Sequence, residues 1–174
     1  MFKTQLMALF LSLVVGTAAT AQSNNSGVFY IGGGLNNNGA TTETDETPFV
    51  LGVLASSRTS PLLFGFDIAA EGEMLDSTYG GDALRQALSI NALIGRNIYK
   101  SAGARTDASL ILGLRESFAD CPDSFIGFQC YADQEPEVDY DFNYGALINF
   151  SFESVTLGIR ATEVSTQAVL GFNF

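Results

Sequence analysis

Apolar residues fall at every second position along most of this 174-residue chain, and polar or glycine-rich stretches interrupt the rhythm at intervals. Period-two alternation is the mark of a β-strand with unlike faces. Eight such segments follow one another: 27–35, 49–57, 62–74, 86–97, 107–118, 138–152, 154–162 and 166–174. The sixth is the clearest. Tyr140, Phe142, Tyr144, Ala146, Ile148, Phe150 and Phe152 alternate there with Asp141, Asn143, Gly145, Leu147, Asn149 and Ser151. In the third, Phe64, Phe66, Ile68 and Ala70 share one face, while Gly65, Asp67, Ala69, Glu71 and Glu73 share the other.

Such strands close into a barrel in one of two ways: apolar face inward in water, or outward in lipid. The less apolar face carries Gly52, Gly65, Gly95, Gly113, Gly145, Gly158 and Gly171. Small residues suit the narrow interior of an eight-stranded barrel. Aromatics gather toward strand ends, as at Phe49, Tyr140, Phe150 and Phe172, the pattern of interfacial girdles. Long connections at 36–48, 75–85 and 119–137 alternate with short ones at 58–61 and around 153, with 98–106 intermediate. The expected fold is therefore all-β: an eight-stranded, antiparallel, up-and-down transmembrane β-barrel.

The first residues stand outside this pattern. Lys3 precedes an apolar run from Leu6 to Val15, and Ala19-Thr20-Ala21 has the form of a cleavage site. Residues 1–21 therefore read as a cleaved signal peptide and 22–174 as one barrel domain. The apolar run is shorter than the ~20 residues of a helical span.

Composition narrows the function. Eight Lys and Arg stand against nineteen Asp and Glu, for a net charge of −11. Nucleic acid is an unsuitable partner, because neutralising phosphates requires cations. The chain has no histidine, the usual base for activating a serine. The only lysine after residue 21, Lys100, falls in an expected turn. A non-enzymatic protein without cofactors is expected.

Several side-chain groups remain candidates. Asp67, Glu71 and Glu73 share the expected lumen with Arg115 and Arg160, with Glu116 near its top; they should pair, because unpaired charges in a narrow interior are costly. A salt-bridged plug is preferred to a gate. Asp133, Glu135, Glu137, Asp139 and Asp141 recur at a spacing of two. A solvated acidic rim is preferred there to a divalent-cation site, although Glu137, Asp139 and Asp141 are the residues that would hold a metal. Cys121 and Cys130 are expected to form a disulfide in an oxidising compartment. Their loop carries Phe125, Ile126 and Phe128, which would offer an apolar contact.

The chain stops at Ala168-Val-Leu-Gly-Phe-Asn-Phe174. A terminal phenylalanine, with Leu170 and Phe172 at alternate positions before it, resembles the assembly signal of outer-membrane barrels. With the strand count and the leader, residues 22–174 resemble the small OmpA-like, OmpX-like and opacity-protein-like barrels. The resemblance implies a Gram-negative outer membrane, both termini in the periplasm, acidic loops outside, and contact with outer-membrane lipids, lipopolysaccharide and the assembly machinery. In one respect the chain departs from OmpA, which carries a peptidoglycan-binding domain after its barrel: with the sequence ending at Phe174, no cell-wall tether is expected. A monomer with a structural or surface-interaction role is expected, through its acidic loops if it meets an extracellular protein. A narrow porin-like channel is the alternative. A lipid A-modifying enzyme of this family is disfavoured by the missing histidine.

Overall fold

The computed structural model describes residues 25–37, 46–57, 60–76, 83–101, 103–120 and 137–174. The expected signal peptide, both cysteines, Phe125, Ile126, Phe128, Asp133 and Glu135 lie outside them.

Eight strands form: β1 (Asn25–Asn36), β2 (Phe49–Ser57), β3 (Leu62–Asp76), β4 (Ala83–Ser101), β5 (Ala104–Asp120), β6 (Glu137–Phe152), β7 (Val155–Thr162) and β8 (Ser165–Asn173). Each pairs antiparallel with the next, and β8 returns to β1 to close the barrel. Phe174 continues the ladder past the end of β8 by exchanging two backbone hydrogen bonds with Gly27.

The barrel is apolar outside. Ile111 is fully buried while its neighbour Leu110 is 61% exposed. Ile31, Leu51, Phe64, Ile90, Leu112, Ile159 and Phe172 are exposed, and Asp67, Glu71, Asn91, Asn143 and Arg160 are buried. A surface of this kind is stable only against hydrocarbon, and closure leaves none of the barrel's own edges unpaired in lipid. The water-soluble alternative is thereby excluded.

Glycines let the small lumen fill. Gly52 pairs with Tyr30, Gly113 with Asn91 and Gly158 with Asn149 across neighbouring strands. A Cβ on any of the three would collide with the large side chain opposite.

β1, β3, β4, β5 and β6 run longer than alternation indicates, while β2 keeps its expected bounds and β7 starts one residue later. β4 and β5 join through a tight turn in which Gly103 adopts a φ of 85°, the left-handed region that glycine occupies at least cost. That connection is short, not intermediate.

Three irregularities break the alternation: between Ala70 and Glu73, between Asn97 and Tyr99, and between Glu116 and Phe118. The first contains Gly72 at a φ of 69°. An extra residue in a bulge reverses the parity beyond it. Met74 and Asp76 are consequently buried, and Glu73 is turned from the lumen face expected for it.

Away from the chain termini the barrel changes into a small second sheet. β5 leaves β4 beyond the pair Ser89–Arg115, and the Glu116 carboxylate then accepts the Leu88 amide at 3.3 Å. Glu116 thus serves the β4 edge, not the lumen charges. Higher up, β5 pairs parallel with β3 at Leu75–Phe118 and Asp76–Ala119. The resulting order is β4–β3–β5–β6. Met74, Ala87 and Ala119 form its apolar cluster with Val138 against them, and Arg85 pairs with Asp76 at 2.9 Å.

Candidate functional site

The lumen gathers the polar residues that alternation places inside. Arg160 on β7 is fully buried. Its Nε and Nη2 donate to the Asp67 carboxylate at 2.9 and 3.2 Å. Nη1 and Nη2 donate to Glu71 at 2.6 and 2.9 Å. The planar fork of a guanidinium suits this double bidentate contact.

One cation faces two carboxylates, and neutral donors stabilise the second charge. Asp67 accepts from the Tyr30 hydroxyl at 2.9 Å and from Asn91 Nδ2 at 2.7 Å. Glu71 accepts from Ser89 Oγ at 2.7 Å, Asn143 Nδ2 at 2.9 Å and Thr162 Oγ1 at 2.8 Å, and also from Ser165 Oγ. Strands β1, β3, β4, β6, β7 and β8 all reach this cluster. β2 and β5 present Gly52 and Gly113 beside it. Burying charge requires such saturation with hydrogen bonds, since each unmet acceptor costs free energy.

An apolar belt lies beside the cluster on the side of the chain termini. On β3, β4, β6 and β8 the succession runs from Asp67, Asn91, Asn143 and Gln167 to Leu63, Leu93, Leu147 and Val169. Val28, Tyr30, Leu54 and Ile111 complete the belt. Val28 pairs with Leu54, and Leu93 with Ile111. Polar groups return below it: Ser151 bonds Thr156, Thr156 bonds Asn173, and Asp107 meets Asn97 and Arg105.

The expected charge network is therefore split. Asp67, Glu71 and Arg160 come together. The Glu73 backbone carbonyl accepts from Arg115 Nη1 at 3.0 Å. Arg115 stands near the second sheet, with its Nη2 3.7 Å from the exposed Asp141 carboxylate. Glu137, Asp139 and Asp141 are exposed, and among the described residues no group of three carboxylates could hold a metal. Alternate residues of a strand stand ~6.7 Å apart, too far to share an ion bound at about 2.4 Å without convergence. Leu170, Phe172 and Phe174 project outward.

Sequence reasoning missed Tyr30, Ser89, Asn91, Asn143, Thr162 and Ser165 as carboxylate partners. Their signal was present in kind, since each holds an inward position. Ser89, Thr162 and Ser165 turn their hydroxyls to Glu71, and every carboxylate oxygen of Asp67 and Glu71 is engaged.

No protein-family model and no curated protein matches the chain. Solved structures do. Neisserial surface protein A matches with a TM-score of 0.51 at 13% identity, covering 87% of this chain and 96% of that one. The N-terminal β-barrel domain of Pseudomonas aeruginosa OprF matches at 0.47 and 14% identity, covering 88% and 100%. Ail of Yersinia pestis, in complex with the heparin analogue sucrose octasulfate, matches at 0.47 and 12% identity, again covering 88% and 100%. The likeness to the Neisserial protein is one of fold, and that fold is the eight-stranded barrel of outer-membrane proteins.

Proposed function

We propose that this chain is a non-enzymatic, monomeric protein of the bacterial outer membrane, with a sealed lumen and a structural or surface-interaction role. The observation that carries this reading is the double filling of the interior by buried side chains. The Asp67–Glu71–Arg160 cluster crosses the lumen with its hydrogen bonds filled, and the apolar belt closes it a second time. A conducting path would have to break both. The outward apolar band supports residence in a bilayer, and the lack of histidine supports a role without catalysis. In this reading the termini face the periplasm, the second sheet and its acidic residues stand outside the cell, and lipopolysaccharide and the assembly machinery are its membrane contacts. Because Glu137, Asp139, Asp141 and Glu163 are exposed at that end, a polyanion such as the one bound to Ail is not transferred to this chain.

Planar-bilayer recording tests the reading. The purified protein, and its Glu71→Gln variant, should show no steady openings. Openings in the unaltered protein whose conductance changes on Glu71→Gln would establish the channel alternative.

A further inference from the structure

β6 outlasts its neighbour. Its pairing with β7 begins at Gly145–Thr162, and the last bond between them runs from the Glu163 amide to the Tyr144 carbonyl. β6 itself starts at Glu137. Residues 137–144, roughly 25 Å of extended chain, are held by β5 on one side. On the other side no described residue pairs with them.

The Tyr144 carbonyl points to the β7 side, so strand parity turns the peptide groups of Phe142, Tyr140 and Val138 the same way. Unmet peptide groups do not persist in hydrocarbon. This edge therefore stands beyond the lipid, where an open ladder is a template for another strand.

The two faces of the edge differ. Tyr140, Phe142 and Tyr144 lie on one, all more than half exposed, with the last two rings stacked at 6.1 Å. Glu137, Asp139 and Asp141 lie on the other and are exposed. Among the described residues the cation paired with them is Arg115, 3.7 Å from Asp141. A second copy pairing here would set carboxylates against carboxylates, which destabilises cross-strand pairs. The chain's own segments 38–45, 77–82 and 121–136 contain no lysine or arginine.

We propose that the β6 edge from Val138 to Tyr144 is a docking site for an extended segment of another protein, in which basic residues alternate with apolar ones. The incoming backbone completes the ladder. Its basic side chains meet Glu137, Asp139 and Asp141, and its apolar side chains meet the three aromatics. The inference deepens the proposed surface role and rests on that reading only for the side of the membrane on which the partner is found.

The probe is a peptide of about eight residues alternating lysine and valine, titrated onto the full-length barrel in zwitterionic nanodiscs. It should bind, and the Asp139→Asn/Asp141→Asn variant should bind it about tenfold more weakly. N-methylation of the peptide amides that would face β6 should abolish binding while keeping all charges. Heat-modifiable gel mobility confirms that the variant is folded. The proposal is overturned by no binding, by equal binding to the double variant, or by undiminished binding of the N-methylated peptide. Slow hydrogen exchange at the Val138, Tyr140 and Phe142 amides without peptide would overturn it too, since it would mean that the edge is already covered. Conductance recorded on the same preparation decides the sealed-lumen reading separately.

Discussion

The charged cluster and the apolar belt fill the same lumen by opposite physics. The cluster relies on directed bonds: Arg160 holds two carboxylates of β3, and six neutral donors on strands other than β3 complete them. The belt relies on volume, with Leu54, Leu63, Leu93, Ile111 and Leu147 almost wholly buried. A belt residue can be shortened and its neighbours relax part of the way. At Arg160 the cluster has no graded response, because removing the cation strands two carboxylates where water cannot reach them. The cluster is therefore the more brittle seal and the stronger constraint on which strands meet.

That difference is broken most directly at Arg160. Arg160→Met leaves Asp67 and Glu71 buried together without their cation. It should cost about 3–5 kcal/mol, measured by reversible urea unfolding in lipid. The triple variant Asp67→Asn/Glu71→Gln/Arg160→Met removes the charges as a set and should recover most of that loss. If the triple variant is as unstable as the single one, the cluster acts through its shape and not through its charge.

The belt should respond more mildly. Leu93→Ala removes a fully buried side chain paired with Ile111. A loss of about 2–4 kcal/mol is expected from transfer and residual cavity, with planar-bilayer conductance still absent because the cluster remains. Openings in Leu93→Ala alone would show that the belt is the only effective seal.

The sequence made some of this legible and hid the rest for definite reasons. Strand number, barrel type and the inward placement of Asp67, Glu71 and Arg160 follow from local alternation. Parity counting carries through an unbroken strand, as in β7 and β8. It fails beyond Gly72, where an extra residue puts Met74 and Asp76 inside and turns Glu73 away. β4 outruns its expected end because Tyr99 and Lys100 break the apolar pattern while the backbone ladder continues to Ser101. Leu93, Ile111 and Leu147 already stood on the less apolar face in sequence. Seeing them as a belt requires the register between strands, which a single strand's pattern does not contain. The crossing of β5 from β4 to β3 is likewise a property of edges, and residue types along one strand say little about edges.

Tyr30 belongs to both seals and gives the finest test of how separate they are. Its ring lies within the apolar belt, and its hydroxyl donates to Asp67 at 2.9 Å. Tyr30→Phe keeps the ring and removes only the donor. Asp67 retains Arg160 and Asn91, so the expected loss is about 1.5–3 kcal/mol, that of one hydrogen bond to a charged acceptor. The informative quantity is the coupling. With Leu93→Ala the effects should add, because the belt's packing around the ring is unchanged by losing the oxygen. With Arg160→Met they should not, because the bond's strength depends on a charge that the second substitution unbalances. Additivity in both double-variant cycles would mean that Tyr30 is a belt residue whose hydroxyl is incidental to the cluster. Coupling in both would mean that belt and cluster unfold as one unit.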